Sequence, residues 1–156
     1  LPAKNDRGFI YTGTIKNEKM EQRQAWNRKE LRRQGNEQYV TASAFWNPNL
    51  GRTAKNLRWI NALVLDFDTE NGKEIDKHEL ALKIADAGLP PASAFIRTPS
   101  GGIHVWWWLK PVRATPKAVR LFTALQTSMA QELGADMGAT GAERFWRLPT
   151  AKNVIY

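Results

Sequence analysis

The stretch Leu63-Val64-Leu65-Asp66-Phe67-Asp68 ends a run of apolar residues with two carboxylates. Its unbroken apolar centre predicts a strand over 59–68 that is covered on both faces of its sheet. Because side chains two positions apart on a strand point to the same face, Asp66 and Asp68 are expected to lie side by side. Aspartate is disfavoured in strands, so this pair is a candidate for chemistry.

Two carboxylates held this close repel each other and raise each other's pKa. A divalent cation relieves that repulsion, and carboxylate oxygens suit Mg²⁺ or Mn²⁺. The sequence has no cysteine, and His78 and His104 are its two histidines, which excludes cysteine-ligated zinc and a histidine-rich metal site in this segment. The alternative is an acidic pair at a strand end that is only solvated.

The segments around this strand alternate irregularly between strand and helix patterns. The residues before it predict, in order, a strand over 9–15, a charged helix over 17–33, a strand over 39–46 and a basic loop over 47–58. The residues after it predict a helix over 73–87, a hairpin of strands over 94–97 and 103–109, a helix over 116–133 and a strand over 145–148. This order indicates an α+β fold with a mixed, mainly antiparallel sheet.

Both downstream helices show an apolar side that is expected to face the core. In the first helix this side consists of Ile75, Leu80, Ile84 and Ala85. In the second helix it consists of Val119, Phe122, Leu125, Met129 and Leu133.

A glycine-rich turn joins the two hairpin strands in the sequence Arg97-Thr98-Pro99-Ser100-Gly101-Gly102-Ile103-His104. Glycines let backbone amides approach an anion closely, as in phosphate-binding turns. Arg97 on the incoming strand and His104 on the outgoing strand can donate hydrogen bonds to phosphate oxygens. An ordinary hairpin turn with a structural histidine explains the same residues equally well.

A third group begins just past the second helix, at Asp136. It continues with Arg144-Phe145-Trp146-Arg147, in which two arginines flank two aromatic residues. Guanidinium groups bind phosphates through two parallel hydrogen bonds, so Arg144 and Arg147 are candidate phosphate ligands. Taken alone, Asp136 is more typical of an ordinary loop aspartate than of a ligand.

The 156-residue chain has a net charge of +8 and seven tryptophans. A basic domain favours a polyanion as its partner, and aromatic side chains beside basic ones suit single-stranded nucleic acid. Arg52, Lys55 and Arg58 in the basic loop are therefore candidate DNA-binding residues. A hydrophobic content of 42% fits one folded domain of this length.

No apolar run reaches the roughly 20 residues that span a bilayer, and no signal-peptide pattern is recognisable. We therefore expect a cytoplasmic protein without a membrane partner. The start at Leu1 and the apolar end at Asn153-Val154-Ile155-Tyr156 lead us to expect a segment of a longer protein.

The three groups, in this order, resemble the motifs of the archaeo-eukaryotic primase (AEP) superfamily, which includes prim-pol enzymes and plasmid or phage replication primases. Its first motif is an apolar strand that ends Asp-x-Asp, as Leu63 to Asp68 does. Its second is a small residue, any residue and His, as in Gly102-Ile103-His104, and its third is a small or apolar residue before Asp, as in Ala135-Asp136. The resemblance covers about residues 39–153.

One departure concerns the second motif, in which Ser often stands where this chain has Gly102. Ser100 is the residue that can replace the missing hydroxyl. The segment from Arg144 to Leu148 looks like the family's basic strand after the third motif.

The resemblance implies one catalytic domain over 1–156, in which an RRM-like sheet module over about 59–156 packs with a smaller N-terminal α/β module over about 1–58. It implies that Asp66, Asp68 and Asp136 are catalytic and bind two Mg²⁺ or Mn²⁺ ions. It also implies that the nucleotide is bound by Arg97, Ser100, Gly101, Gly102, His104, Arg144 and Arg147.

The function implied is that of a DNA primase–polymerase core in plasmid, phage or mobile-element replication. Its partners would be a single-stranded DNA template, NTP or dNTP, and a fused or associated helicase. One alternative is a glycosyltransferase that binds a metal through Asp-x-Asp, which leaves the glycine–histidine turn and the positive charge unexplained. Another is a non-catalytic nucleic-acid-binding replication module, which leaves the three acids without a role.

Overall fold

The computed structural model describes residues 7–27, 29–30, 39–69, 71–148 and 154–155. Short 3-10 helices lie at Pro48–Leu50 and Ala54–Asn56. The strands are β1 Ile10–Lys16, β2 Lys19–Ala25, β3 Tyr39–Thr41, β4 Ser43–Phe45, β5 Leu57–Phe67, β6 Ala94–Arg97, β7 Ile103–Arg113, β8 Phe145–Arg147 and β9 Val154–Ile155. The α-helices are α1 Lys77–Asp86 and α2 Pro116–Leu133.

The strands form two sheets, and every strand pair in the described ranges is antiparallel. A five-stranded sheet has the order β4-β5-β7-β6-β9, and a four-stranded sheet has the order β2-β1-β3-β8. The α+β class and the mainly antiparallel character predicted from the sequence are therefore confirmed.

β5 is the central element of the core, and both of its faces are covered, as its apolar sequence predicts. Leu63, Leu65 and Phe67 pack in the same cluster as the buried side chains of α1 and α2. On the opposite face, Ala62 and Val64 pack in a cluster with Trp106 of β7, Trp146 of β8 and Val40 of β3. The four-stranded sheet thus covers the face of β5 that the helices leave open.

The two sheets exchange strands across the expected module boundary near residue 58. β4 precedes that boundary but joins the five-stranded sheet, and β8 follows it but joins the four-stranded sheet. The strand expected over 39–46 is consequently two strands, because the chain changes sheets between β3 and β4. Thr41 stabilises this change, since its hydroxyl accepts from Tyr11 N at 3.0 Å and donates to Ser43 O at 3.0 Å.

The helix expected over 17–33 is wrong over residues 19–25, which form β2, whereas residues 29–30 are helical. Asn17 and Glu18 both have positive φ angles, and this two-residue turn sets Lys16 opposite Lys19. Backbone pairing with β1 thus outweighs the helix propensity of the charged residues. Residues 28 and 31–38 lie outside the described part.

The helices also differ in detail from the expected apolar sides. Leu125 is 53% exposed, and the neighbouring Gln126 is buried in its place. Ala85 of α1 is exposed, and α1 begins later than expected because Asp76 caps it. The side chain of Asp76 accepts from His78 N at 2.7 Å and from Glu79 N at 3.4 Å.

We expect Asp76→Ala to lower the free energy of unfolding by about 1 kcal/mol, because the first turn of α1 loses its N-cap. Asp86→Ala is the matched control, since it makes the same change in the last turn of the same helix, where a negative charge is unfavourable. Urea denaturation of both variants measures the difference. Equal losses for the two variants would contradict the capping role.

Candidate active site

Asp66 lies at the carboxyl end of β5, on the face that the four-stranded sheet covers. Its side chain is 23% exposed, and its Oδ1 lies 3.5 Å from Nε2 of His104, its cross-strand partner on β7. The backbone N–H of Asp136 donates to the backbone oxygen of Asp66 at 2.7 Å. Two aspartates 70 positions apart in the sequence are therefore joined directly.

This contact forms because one edge of β5 is open near its end. β4 pairs only with residues 57–60 of β5, which leaves the later carbonyl groups on that edge without a strand partner. The side-chain Nε2 of Gln126 in α2 donates a hydrogen bond to Val64 O at 2.9 Å, and Asp136 N donates one to Asp66 O. The end of α2 and the loop after it thus take the place of a strand, and they bring Asp136 to Asp66.

The carboxylates of the site influence one another electrostatically. Burial, together with the neighbouring charges of Asp68 and Asp136, raises the pKa of Asp66 to about 6, while Arg144 opposes the shift. Asp68 is exposed just past the end of β5 and lines a cavity of about 520 Å³ beside α1. Asp136 Oδ1 accepts from Gly138 N at 2.8 Å.

The donor set fits a hard divalent cation, because three carboxylates at one strand end supply oxygen ligands and excess negative charge. Their present side-chain positions do not converge: among the described residues, no three His, Asp or Glu side chains form a group that could hold a metal ion. The carboxylate of Asp136 is instead turned to the amide of Gly138. Ion binding by these three acids remains a prediction that requires side-chain rotation.

His104 lies inside the site and is only 9% exposed. Burial and the nearby charge of Arg147 lower its pKa to about 4, so the imidazole is neutral near pH 7. Its ring meets Trp146 edge-on at 5.2 Å, and its buried Nδ1 has no hydrogen-bond partner among the described residues. The structure therefore places His104 beside Asp66, and its expected contact with a nucleotide stays a prediction.

The glycine-rich turn uses most of its polar groups internally. Gly101 N donates to Thr98 O at 3.0 Å, and Thr98 Oγ1 lies 3.1 Å from Ser100 Oγ. Arg97 donates to Gly101 O and to Ile75 O, each at 3.0 Å, and so ties the turn to the segment before α1. A Cβ atom at Gly102 would lie 2.5 Å from Phe67 O, which explains glycine there by close packing.

Arg144 directly before β8 lies near Asp66, and Arg147 at the end of β8 lies near His104. Arg144 donates to Gly138 O at 2.9 Å and lies near enough to Asp66 to oppose its pKa shift. Arg147 donates to the hydroxyl of Tyr39 at 2.9 Å, with its guanidinium over that ring. The two arginines thus supply positive charge on the Asp66 side of the sheet.

The three basic residues expected to bind DNA are separated by the fold. Arg52 donates to Glu143 O at 2.8 Å and stacks over Phe145 at 4.4 Å, and it lines a cavity of about 410 Å³ with Arg144. Arg58 lies near the opposite end of β5, eight residues and therefore about 26 Å along the strand from Asp66. Lys55 is exposed just before that end.

Burial and the charge of Arg144 lower the pKa of Arg52, while Glu143 and Tyr11 oppose the shift. Its Nε is buried and has no hydrogen-bond partner in the part of the chain that the structure describes. Arg52 therefore lies beside Glu143 and Arg144.

Sequence reasoning missed two residues. Gln126 is bonded to the loop after α2, and Tyr39 is bonded to Arg147. Gln126 could have been found from spacing, because positions 122, 126, 129 and 133 continue one helical face. Its polar character led instead to the choice of Leu125. No local sequence pattern pointed to Tyr39, because its partner Arg147 is 108 residues away in the chain.

The two packed sheets, with acids at the end of a central strand, form the fold of an archaeo-eukaryotic primase domain, in agreement with the resemblance found in the order of the motifs. The chain is similar to the AEP domain of the cyanophage S-2L primase-polymerase (PrimPol), with a TM-score of 0.63 over 92% of this chain and 73% of that chain. Their sequences are 18% identical, so this likeness concerns the fold. The Replicase family matches residues 20–153, and the chain belongs to that family.

A search of curated proteins finds no match to the sequence. Within the described ranges, neither helix combines the length and the apolar character that crossing a membrane requires.

We expect Asp66→Asn to stabilise the fold in a pH-dependent way. The folded pKa of about 6 lies above the ordinary value near 4, so ionising Asp66 costs stability as the pH rises from about 4 to about 6. Asparagine does not ionise, and the variant should match wild type near pH 4 and exceed it above pH 6. The ceiling is about 3 kcal/mol, from about 1.36 kcal/mol per pKa unit.

Urea denaturation between about pH 4 and pH 7.5, without divalent metal, measures this difference. The exposed Asp86→Asn is the control, since it removes a carboxylate that is not among the charges shifting the pKa of Asp66. A variant less stable than wild type at every pH would show that the Asp66 carboxylate is structural.

Proposed function

We propose that this chain is the catalytic core of a DNA primase–polymerase that transfers nucleotides along a single-stranded DNA template. The observation that carries the proposal is the direct bond between the Asp136 and Asp66 backbones, which brings the first and third acidic motifs to one strand end. Membership of the Replicase family and the fold shared with a phage primase-polymerase support it. The net charge of +8 suits a nucleic-acid substrate.

Asp66, Asp68 and Asp136 would hold two Mg²⁺ or Mn²⁺ ions. When bound, such ions supply charge stabilisation to the attacking 3′-oxygen, the transferred phosphoryl group and the leaving pyrophosphate. The raised pKa of Asp66 supports this role, because a cation favours its ionised form over the protonated one. Asp136 and Asp68 would rotate towards Asp66 as the repulsion between their charges is neutralised.

The arginines of the site would bind the nucleotide. Arg144 and Arg52 line one cavity, and Arg144 is close enough to Asp66 to influence its pKa. Guanidinium groups there can bind phosphate oxygens bidentately. His104 is kept neutral by burial, so it would act as a hydrogen-bond donor to an oxygen without adding charge. The 3′-oxygen would form a bond to the α-phosphorus, and the bond from that phosphorus to the pyrophosphate would break.

The most direct test is incorporation of a labelled dNTP or NTP on primed and unprimed single-stranded DNA with Mn²⁺ present. We expect wild-type protein to extend the strand and Asp66→Asn/Asp68→Asn to lose transfer by more than about 10³-fold, because charge stabilisation by the ions is the main catalytic contribution. The double variant should keep its fold and its affinity for DNA.

Asp76→Asn is a matched control. It neutralises another aspartate, Asp76, which caps α1. Binding of DNA without any incorporation by wild type would favour the non-catalytic nucleic-acid-binding module. Release of sugar from a nucleotide sugar would favour the glycosyltransferase.

A second test uses the separation of Arg52 from Lys55 and Arg58. We expect Arg52→Lys to raise the KM for nucleotide and leave template affinity unchanged, because lysine loses the fork geometry but keeps the charge. Lys55→Ala/Arg58→Ala should weaken binding of single-stranded DNA and reduce its salt dependence, with nucleotide KM unchanged. Steady-state kinetics and a salt series of DNA affinity measure the two effects. If Arg52→Lys instead weakens DNA binding and leaves the nucleotide KM unchanged, the template binds at Arg52.

A further inference from the structure

Gln126 is a buried polar residue in the middle of α2, with 1% of its surface exposed. Both ends of its side-chain amide are used. Nε2 donates to Val64 O at 2.9 Å, and Oε1 accepts from Gly141 N at 2.8 Å. One side chain therefore links the central strand β5 to the loop that follows α2.

The packing of α2 does not require an amide at this position. The neighbouring buried positions of the same helix face are Phe122, Met129, Ala130 and Leu133, all apolar. A buried amide is costly unless both its donor and its acceptor are satisfied. Here it satisfies a strand-edge carbonyl and a loop amide at once, which an apolar side chain cannot do.

The loop bridged by Gln126 carries Asp136. Near its start Asp136 N is bonded to Asp66 O, and further along Gly141 N is bonded to Gln126. Ala139 between them is buried in the same cluster as Val64. Two hydrogen bonds thus attach the loop to β5 and α2, and loss of the bond to Gln126 removes the one further along the loop.

We propose that Gln126 is a positioning residue, which fixes the loop of residues 134–144 against the edge of β5 so that Asp136 stays in register with Asp66. The inference deepens the proposed function and rests on it for its catalytic consequence. Residues that orient metal ligands typically change metal affinity or activity by about 10- to 100-fold when mutated. We expect an effect of that size here.

The test compares Gln126→Met with Phe122→Leu. Methionine keeps the length of the side chain and loses both hydrogen bonds, whereas Phe122→Leu disturbs the same buried helix face away from the loop. The readouts are amide hydrogen exchange, Mn²⁺ affinity of the resting protein by paramagnetic resonance, and kcat and KM for nucleotide transfer. Gln126→Asn is a second variant, which keeps the amide but is too short to bridge Val64 and Gly141.

For Gln126→Met we expect faster exchange at the amides of Asp136 and Gly141 and unchanged exchange in β7. Mn²⁺ affinity and kcat should each fall about 10- to 100-fold, with nucleotide KM and DNA affinity near wild type. Gln126→Asn should behave in the same way. Phe122→Leu should lose stability without these changes.

The inference is overturned if both Gln126 variants keep wild-type exchange in the loop and wild-type Mn²⁺ affinity, or if Phe122→Leu reproduces their effects at equal stability. If the wild-type protein transfers no nucleotide, the proposed function is wrong instead. In that event exchange and Mn²⁺ affinity still decide the role of Gln126, because neither measurement needs turnover.

Discussion

The candidate site depends on one constraint, which is that the open edge of β5 must have its backbone carbonyls satisfied. β4 ends after pairing with residues 57–60, and a buried carbonyl without a partner is costly. Asp136 N satisfies Asp66 O at 2.7 Å, and Gln126 satisfies Val64 O at 2.9 Å. The same bonds that complete the sheet place a third acid beside the first two, so folding and site assembly have a common cause.

Covering that end of β5 with a second sheet makes the site chemically distinctive. Trp146 packs edge-on to His104 and removes water from it, and the surrounding burial raises the pKa of Asp66 and lowers that of His104. β8, which carries Trp146, directly follows Arg144 near Asp66 and ends with Arg147 near His104. Opposite charges are therefore held close together in a region of restricted solvent access, where electrostatic effects are stronger than in water.

The likeness to the cyanophage domain at 18% identity shows how few positions this architecture requires. In this chain, apolar residues cover both faces of β5, and its open edge accepts the loop after α2, which carries Asp136. A fold can host several activities, so the function has to be argued from the site itself. Among the described residues the three carboxylates are not gathered around a common point, so the proposed cation binding would require their side chains to rotate.

The sequence by itself determined the elements whose signals are local. The apolar run of β5, Thr115 and Gly134 at the ends of α2, and the glycine turn after β6 all lie where their patterns predicted. Only the tertiary structure decided that residues 19–25 form a strand, because their pairing with β1 outweighs their own helix propensity. It also decided the burial of Gln126 and the placement of Arg52 beside Glu143, since both depend on partners distant in the chain. Such contacts follow from which strand edge is left open, and residue patterns within one segment carry no information about that edge.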